Sequence, residues 1–297
     1  MKVLIMAGGS GERFWPLSTK EKPKQLLSLV SSKSLIRETL DRILKLVSIE
    51  DVYIATNEIQ VEGISNEIHE INSQNIIIEP LFRDTAAAIA YGSTYISKYE
   101  ENPTIIVLSS DHLIKNHQVF LKTLRSAIEE AKRGSIVTIG IVPTRPEVAY
   151  GYIKVNSLEK GKISKVSSFL EKPNYELAKM YFDDRNYVWN SGMFIFNYDT
   201  IINELKSFAP KHIEIIKKIK PYIFNYQGLK LSKKIKPYFE KFERISIDYA
   251  VMEKSKLIKC IPVDIGWSDV GGYNALQDIL NQDEHGNIIK EAKYIYI

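Results

Sequence analysis

Short, almost wholly apolar runs alternate with segments of helical period through roughly the first 145 residues. That alternation restricts the chain more than any other feature. Val3–Met6 and Thr104–Ser109 are runs of this kind, and Asp51–Thr56, Asn75–Glu79 and Ser135–Gly140 read as further strands. Between them, Leu35, Ile36, Thr39, Leu40, Ile43 and Leu46 recur on one helix face, Thr85–Tyr99 has an alanine-rich front, and Val119–Ala131 is amphipathic. Strands apolar on both sides must be covered on both sides, and helices between strands supply that cover. The spacing predicts an α/β fold with a doubly wound, mostly parallel sheet and right-handed crossovers. Ligands of such sheets sit beyond the carboxyl ends of the strands. Residues just after Met6, Glu79 and Ser109 are therefore expected to line a site.

After about residue 145 the pattern changes. Tyr150–Val155, Ile163–Leu170, Val188–Asn197 and Leu257–Pro262 read as strands. Tyr175–Phe182, Ile201–Leu205, His212–Ile219, Ile247–Glu253 and Gly272–Ile279 read as helices. No Pro/Gly/Ser-rich linker marks a boundary, so residues 141–280 are expected to extend the same sheet with antiparallel character. No apolar stretch approaches the ~18 residues of a membrane span, and the N-terminal run is too short for a signal peptide. The lone Cys260 excludes an internal disulfide and suits a reducing compartment. A cytoplasmic protein with no membrane partner is the expectation. The formal charge of +4 suits anionic small molecules without demanding them. The basic run Lys230–Lys236 lacks interleaved aromatics and reads as a solvated face, and no zinc-finger spacing or basic recognition helix points to nucleic acid.

The most informative segment is Ala7-Gly8-Gly9-Ser10-Gly11-Glu12-Arg13-Phe14-Trp15-Pro16-Leu17-Ser18. Glycines after a buried strand let the backbone turn sharply and bring successive N–H groups to phosphate oxygens. Arg13 and Lys24 follow, one able to fork onto a phosphate and one a mobile point charge. The loop lacks the Gly-Lys-Ser/Thr of a Walker motif, and its spacing breaks the dinucleotide fingerprint.

Asp111 follows the fourth strand, and Asp269 follows the Leu257–Pro262 strand by a short turn. Either could cap a helix. Together, beside a triphosphate-like loop, they read as hard oxygen ligands for Mg²⁺. His69, His112, His117, His212 and His285 form no H-E-x-x-H and none pairs with Cys260, which argues against zinc. Glu171 and Lys172 precede the chain-turning Pro173, an acid for sugar hydroxyls beside an ammonium for phosphate. Asn190 sits within an apolar strand, where it needs partners. Trp189 and Trp267 read as core residues. Glu79–Ala86 links a strand to the alanine-faced helix and leaves room for a base edge.

Taken together, these segments resemble the sugar-phosphate nucleotidyltransferases, and within them the mannose-1-phosphate guanylyltransferases, over roughly residues 2–280. The wording Phe14-Trp15-Pro16-Leu17-Ser18 followed by Pro23-Lys24-Gln25 is the most specific part. Phe169–Pro173, Asn190–Phe194 and Gly266–Asp269 are similar to that branch as well. The resemblance implies a Rossmann-like mixed sheet of the nucleotide-diphospho-sugar transferase type. It implies transfer of GMP from GTP to mannose 1-phosphate by in-line attack on the α-phosphorus, with Mg²⁺ as cofactor. Ala7, Gly8, Gly9, Gly11, Arg13, Lys24, Pro80, Arg83, Thr85 and Asp111 would then bind nucleotide, the Arg83–Ala86 stretch lying near guanine. Gly151, Glu171, Lys172 and Asn190 would bind the sugar phosphate. Asp111 and Asp269 would hold the metal, and Arg13, Lys24, Asp111, Lys172 and Asp269 would be catalytic. Many relatives have Asn where Asp84 stands. Residues 1–280 would be the catalytic domain and 281–297 the start of a small or truncated C-terminal β-element. A homodimer stays open, as do another sugar 1-phosphate such as glucose 1-phosphate, another nucleotide, and a non-catalytic regulatory subunit of the same fold.

Overall fold

In the computed structural model, residues 1–9, 12–277, 279–280, 282–285 and 288 are described. The strands are β1 Lys2–Met6, β2 Val52–Asn57, β3 Ile76–Glu79, β4 Thr104–Ser109, β5 Leu113–Ile114, β6 Ile136–Ile141, β7 Tyr152–Val155, β8 Ser164–Leu170, β9 Tyr187–Asn197, β10 Ile258–Val263 and β11 Trp267–Ser268. The helices are α1 Leu35–Ile43, α2 Val61–Glu67, α3 Asp84–Ile96, α4 His117–Ala131, α5 Tyr175–Asp184, α6 Tyr198–Phe208, α7 Pro210–Asn225, α8 Gly228–Phe239 and α9 Tyr273–Gln277. None among the described residues is long and apolar enough to cross a membrane.

One sheet runs in the order β3-β2-β1-β4-β9-β6-β10-β8-β7. β1 to β4 are parallel, as expected from the alternating pattern. Successive residues of β1 serve opposite faces. Leu4 packs among Ala86, Ala87 and Ala90 of α3, and Val3 and Ile5 pack among Ile36, Leu40 and Ile43 of α1. α3 approaches so closely that a Cβ at Gly92 would stand 2.7 Å from a Leu4 methyl, which is why its front carries small side chains.

Doubly wound regularity ends at β4. The strand beside it is not β6 but β9, which returns from later in the chain and pairs antiparallel with both. β9 also pairs with β7, so β9, β6, β10, β8 and β7 close into a ring of strands. The closure needs a shift of register between Thr138 and Gly140, opposite Asn190–Phe194. Gly192 there has φ +69°, a left-handed conformation that glycine adopts without penalty.

α2 and α8 are absent from the sequence expectation, and α6 and α7 are longer than it. α8 buries Leu231, Ile235 and Phe239 at four-residue spacing while its lysines face solvent. The run Lys230–Lys236 is thus the outer face of a helix packed beside α7. The β5–β11 ribbon has no counterpart in the sequence expectation either. It pairs Trp267 with Ile114 and Ser268 with Leu113, segments far apart in sequence.

Candidate active site

The β5–β11 ribbon ties the turn after β4, which carries Asp111, to the turn after β11, which carries Asp269. Backbone bonds from Lys115 and Asn116 to Ile265 reinforce the tie. Lys24 lies between the two turns. Its ammonium is 2.8 Å from Asp111 Oδ2 and donates to the Asp269 carbonyl at 2.5 Å. Lys24 is only 7% exposed, so these oxygens replace the water it has lost. Asp111 Oδ1 also accepts from Ser109 Oγ at 2.8 Å. Burial alone would raise the Asp111 carboxyl, but the Lys24 charge, aided by His112 and the hydrogen bonds from Lys24 and Ser109, outweighs it and holds the pKa below its ordinary value. Asp269 Oδ1 accepts from Tyr150 Oη at 2.7 Å. Burial lowers the His112 pKa, and the neutral ring accepts from Trp267 Nε1 through Nδ1 at 3.2 Å.

Two cavities meet at this point, sharing Ala149, Tyr150 and Asp269. One, of about 240 Å³, reaches Gly151, Glu171, Asn190 and Asp248. The other, of about 880 Å³, opens toward Arg13 and Arg145.

The smaller cavity is lined by oxygen-rich side chains held in place from behind. Asn190 Nδ2 donates to Asp248 Oδ1 at 2.9 Å, and Asn190 N donates to the Gly151 carbonyl at 2.8 Å. Glu171 N donates to Glu253 Oε1 at 3.0 Å, while Glu171 Oε2 is buried without a partner. Burial, then the Asp248 charge, push the Glu171 carboxyl up to about 7. Burial raises Asp248 as well. A Cβ at position 151 would collide with Glu171 Oε2, so a larger residue here would have to displace the Glu171 carboxyl from its place in the cavity. Lys172, at φ +47°, turns outward to the rim, 3.5 Å from Glu171 Oε1.

The glycine loop is held by two amides. Gln25 Nε2 donates to the Ala7 carbonyl at 2.8 Å and to Gln60 Oε1 at 3.0 Å, and Gln60 Nε2 donates to the Gly9 carbonyl at 2.9 Å. Thr56 Oγ1 also donates to the Ala7 carbonyl at 3.2 Å. These bonds tie down the Ala7 and Gly9 carbonyls, and the Ala7 N–H itself donates to the Ala55 carbonyl at 2.7 Å. Gly11, expected to bind nucleotide, lies outside the described residues.

Beside Gly8 stands Glu79, the last residue of β3. A Cβ at Gly8 would be 3.4 Å from its Oε1. Glu79 is buried, and burial pushes its carboxyl up to about 8. Its place at a strand end against the glycine loop, rather than the shift alone, marks it as a candidate. The sequence marks the segment Glu79–Ala86 but not this residue.

The structure thus gathers Lys24, Asp111 and Asp269, sets Arg13 on the same larger cavity as Asp269, and gathers Gly151, Glu171 and Asn190 around the smaller one, with Lys172 outside its lining beside Glu171. Pro80 and Arg83 line neither cavity. Thr85 lines the smaller cavity, but its hydroxyl accepts from Ile247 N at 2.8 Å and so props up the turn bearing Asp248. Asp84 has φ +67° and accepts from Thr85 N through Oδ1 at 2.8 Å. Asn and Asp are the side chains that tolerate this conformation, so the Asn-to-Asp departure is explained by the backbone. Asp248, like Gln60, gives no motif to read; it lies in a short π-helical turn, Asp248–Met252.

Among the described residues no cluster of three or more His, Cys, Asp or Glu side chains is placed to hold a metal. Two carboxylates stand near Lys24: Asp111 meets its ammonium directly, and Asp269, whose backbone carbonyl takes the same ammonium, holds its own carboxylate against Tyr150. Mg²⁺ commonly takes one or two protein carboxylates and completes its shell with substrate phosphates and water, so this donor pair fits it.

The nucleotidyl transferase family model matches residues 2–286. The chain is 38% identical over 291 residues to a mannose-1-phosphate guanylyltransferase of Salmonella typhimurium, covering 97% of this chain and 60% of that protein. It is 36% identical over 310 residues to a mannose-1-phosphate guanylyltransferase of Escherichia coli, covering 99% of this chain and 66% of the relative. The chain thus spans between 60% and 66% of the length of these two relatives. A crystal structure from Thermus thermophilus, described as a mannose-1-phosphate geranyltransferase, matches with a TM-score of 0.83 and 33% identity over 96% of this chain and 80% of that one.

Proposed function

This chain belongs to the nucleotidyl transferase family, and from that premise we propose that it transfers GMP from GTP to α-D-mannose 1-phosphate, releasing pyrophosphate and forming GDP-mannose. The observation that carries the proposal is Lys24 bound between Asp111 and the Asp269 carbonyl, at the junction of two cavities. In this reading the smaller cavity takes the sugar, the larger one takes phosphates, and residues 1–280 act as the catalytic unit. The substrates are phosphorylated metabolites, which suits a cytoplasmic site.

A phosphate monoester loses its second proton near pH 6, so the acceptor is already a nucleophile and no general base is required. The obstacle is charge. At 4 Å each pair of unit charges repels by about 4 kcal/mol at an effective dielectric of 20. Lys24 and Arg13 would offset the triphosphate charge, and Lys172 at the rim would offset that of the incoming sugar phosphate. Asp111 and Asp269 would hold Mg²⁺, which when bound neutralises and polarises the attacked phosphate. Glu171 and Asp248 would accept from sugar hydroxyls. Burial raises both carboxyls, and Glu171 Oε2, buried without a partner, is the acceptor left open. Glu79 would receive guanine. An ionised carboxylate only accepts, and the guanine edge offers two adjacent donors, N1–H and the N2 amine. Catalysis of this kind is positioning plus charge stabilisation.

The test is a pyrophosphate-release assay over four nucleoside triphosphates and a panel of sugar 1-phosphates, with and without Mg²⁺. GTP with mannose 1-phosphate is expected to be the best pair by at least about tenfold in kcat/KM, the scale of a modest contact difference. Equal use of glucose 1-phosphate or of another triphosphate would overturn the assignment. No turnover with any pair would favour a regulatory subunit.

The amide pair behind the loop gives a second expectation. Gln60→Leu frees the Gly9 carbonyl and removes an acceptor from Gln25. It should raise KM for GTP by about tenfold, the worth of one to two hydrogen bonds, and leave KM for mannose 1-phosphate unchanged. Initial rates with each substrate varied in turn check this. An equal rise in both KM values would mean a general loss of structure instead.

A further inference from the structure

A basic and aromatic patch forms where α7 turns into α8 against the end of α3, and none of its residues lines either active-site cavity. Phe224 and Leu229 are each 47% exposed and Tyr99 is 40% exposed, with Tyr226 half-buried between them in sequence. Gln227 Nε2 donates to Tyr99 Oη at 3.2 Å, which fixes the helix turn to the segment after α3. Each ring carries a lysine. Lys98 Nζ lies 5.4 Å from the Tyr99 centroid, Lys220 lies 5.9 Å from Phe224, and Lys230 and Lys234 lie 5.3 and 5.9 Å from Tyr226. Among the described residues none of these four lysines is in an ion pair. The nearby Glu100 is already engaged by the Met1 amino group and Lys2.

Charge is concentrated here. Residues 210–244 contain ten Lys/Arg and three Asp/Glu, a surplus larger than the +4 of the whole chain, so the remainder of the protein is net acidic. Scattered exposed apolar residues need no explanation. An apolar tip inside a collar of unpaired lysines, on a protein otherwise acidic, does need one. Nucleic acid fits it less well, because stacking wants free ring faces and each of these rings has a lysine ammonium within 5.9 Å of its centroid. A lipid headgroup region fits it well. Aromatic and aliphatic side chains enter the boundary of headgroups and acyl chains, and lysine stems lie along them while the ammonium groups reach outward to phosphate.

We propose that this patch docks the protein on an anionic lipid surface, with Phe224, Tyr226 and Leu229 inserted and Lys98, Lys220, Lys230 and Lys234 paired with lipid phosphates. The proposal is independent of the assigned reaction.

The test is sedimentation of the whole chain with phosphatidylglycerol-containing vesicles, compared with pure phosphatidylcholine vesicles. The protein is expected to pellet with the anionic vesicles only, and to be released in about 1 M salt, where screening shortens to about 3 Å. Lys220→Glu/Lys230→Glu/Lys234→Glu should weaken binding by about tenfold or more. Phe224→Ser/Leu229→Ser should weaken it several-fold at unchanged charge. Circular dichroism confirms that each variant folds, and Lys→Gln at the same three positions replaces the charge reversal if it does not. Failure to pellet with anionic vesicles at low salt would overturn the proposal. So would pelleting that survives the lysine changes, or binding indifferent to Phe224 and Leu229 in a protein that is retained equally by single-stranded RNA.

Discussion

Asp111→Asn and Asp269→Asn are each expected to fold and to lose roughly 10²–10³-fold in kcat, the usual loss when one charged stabiliser is removed from a preorganised site. Asparagine keeps the volume and one carbonyl oxygen, so the Ser109 bond to position 111 and the Tyr150 bond to position 269 can persist. What disappears is the negative charge. At position 111 that charge also compensates the buried Lys24 ammonium, so Asp111→Asn should lower the thermal midpoint more than Asp269→Asn does, because Lys24 takes only the backbone carbonyl of Asp269. Steady-state rates across a Mg²⁺ titration, with thermal melts beside them, check both statements. Turnover within threefold of the parent in either variant would remove that carboxylate from the metal-holding role.

Glu79→Gln is expected to cost about 10²-fold in kcat/KM for GTP, because a glutamine amide offers a donor where guanine presents a second donor. It should also remove a pH dependence. With its carboxyl near pH 8 in the free protein, Glu79 is protonated at neutral pH and must release that proton to accept from both guanine donors. GTP affinity should therefore rise with pH from about 6 to 8 and level off above, a slope absent in Glu79→Gln. The stability trend runs the other way. A carboxyl whose folded pKa is raised retains its proton between the ordinary value of 4.5 and about 8, while the unfolded chain has released it. Folding stability contributed by this group thus falls as pH climbs through that window. Glu79→Gln should be more stable than the parent near pH 7.5 by up to roughly 4 kcal/mol and no more stable near pH 4. Melts at the two pH values, with GTP titrations from pH 6 to 8.5, decide it. A Glu79→Gln protein that keeps both the affinity and the pH slope would exclude Glu79 from base recognition.

The parallel half of the sheet is readable from local pattern because its strands and its longer helices declare themselves by period, and because consecutive strands β1, β2 and β3 are neighbours in the sheet. The glycine loop, Arg13 and Lys24 are readable for a similar reason: the chemistry sits within eighteen residues of one strand end. Glu171, Lys172 and Asn190 stand out as polar groups set in apolar or chain-turning surroundings. Gln60 and Asp248 do not, since a glutamine before a short helix and an aspartate in an amphipathic turn are ordinary in sequence. Their roles come from what lies across from them. Lys230–Lys236 reads as a solvated face, and the turn from α7 into α8 is what lays Lys230 and Lys234 beside the Tyr226 ring.

Local order in the chain was enough to specify which residue types carry charge, which turns can approach phosphate, and that strands and helices alternate, since each follows from neighbours a few positions apart. It could not specify that β9 slips between β4 and β6, that a two-residue ribbon joins Leu113–Ile114 to Trp267–Ser268, or that a lysine near the start of the chain meets an aspartate carbonyl 245 positions later. Those pairings depend on long-range closure, where many partners compete on nearly equal local terms and the choice is made by burying the whole sheet at once.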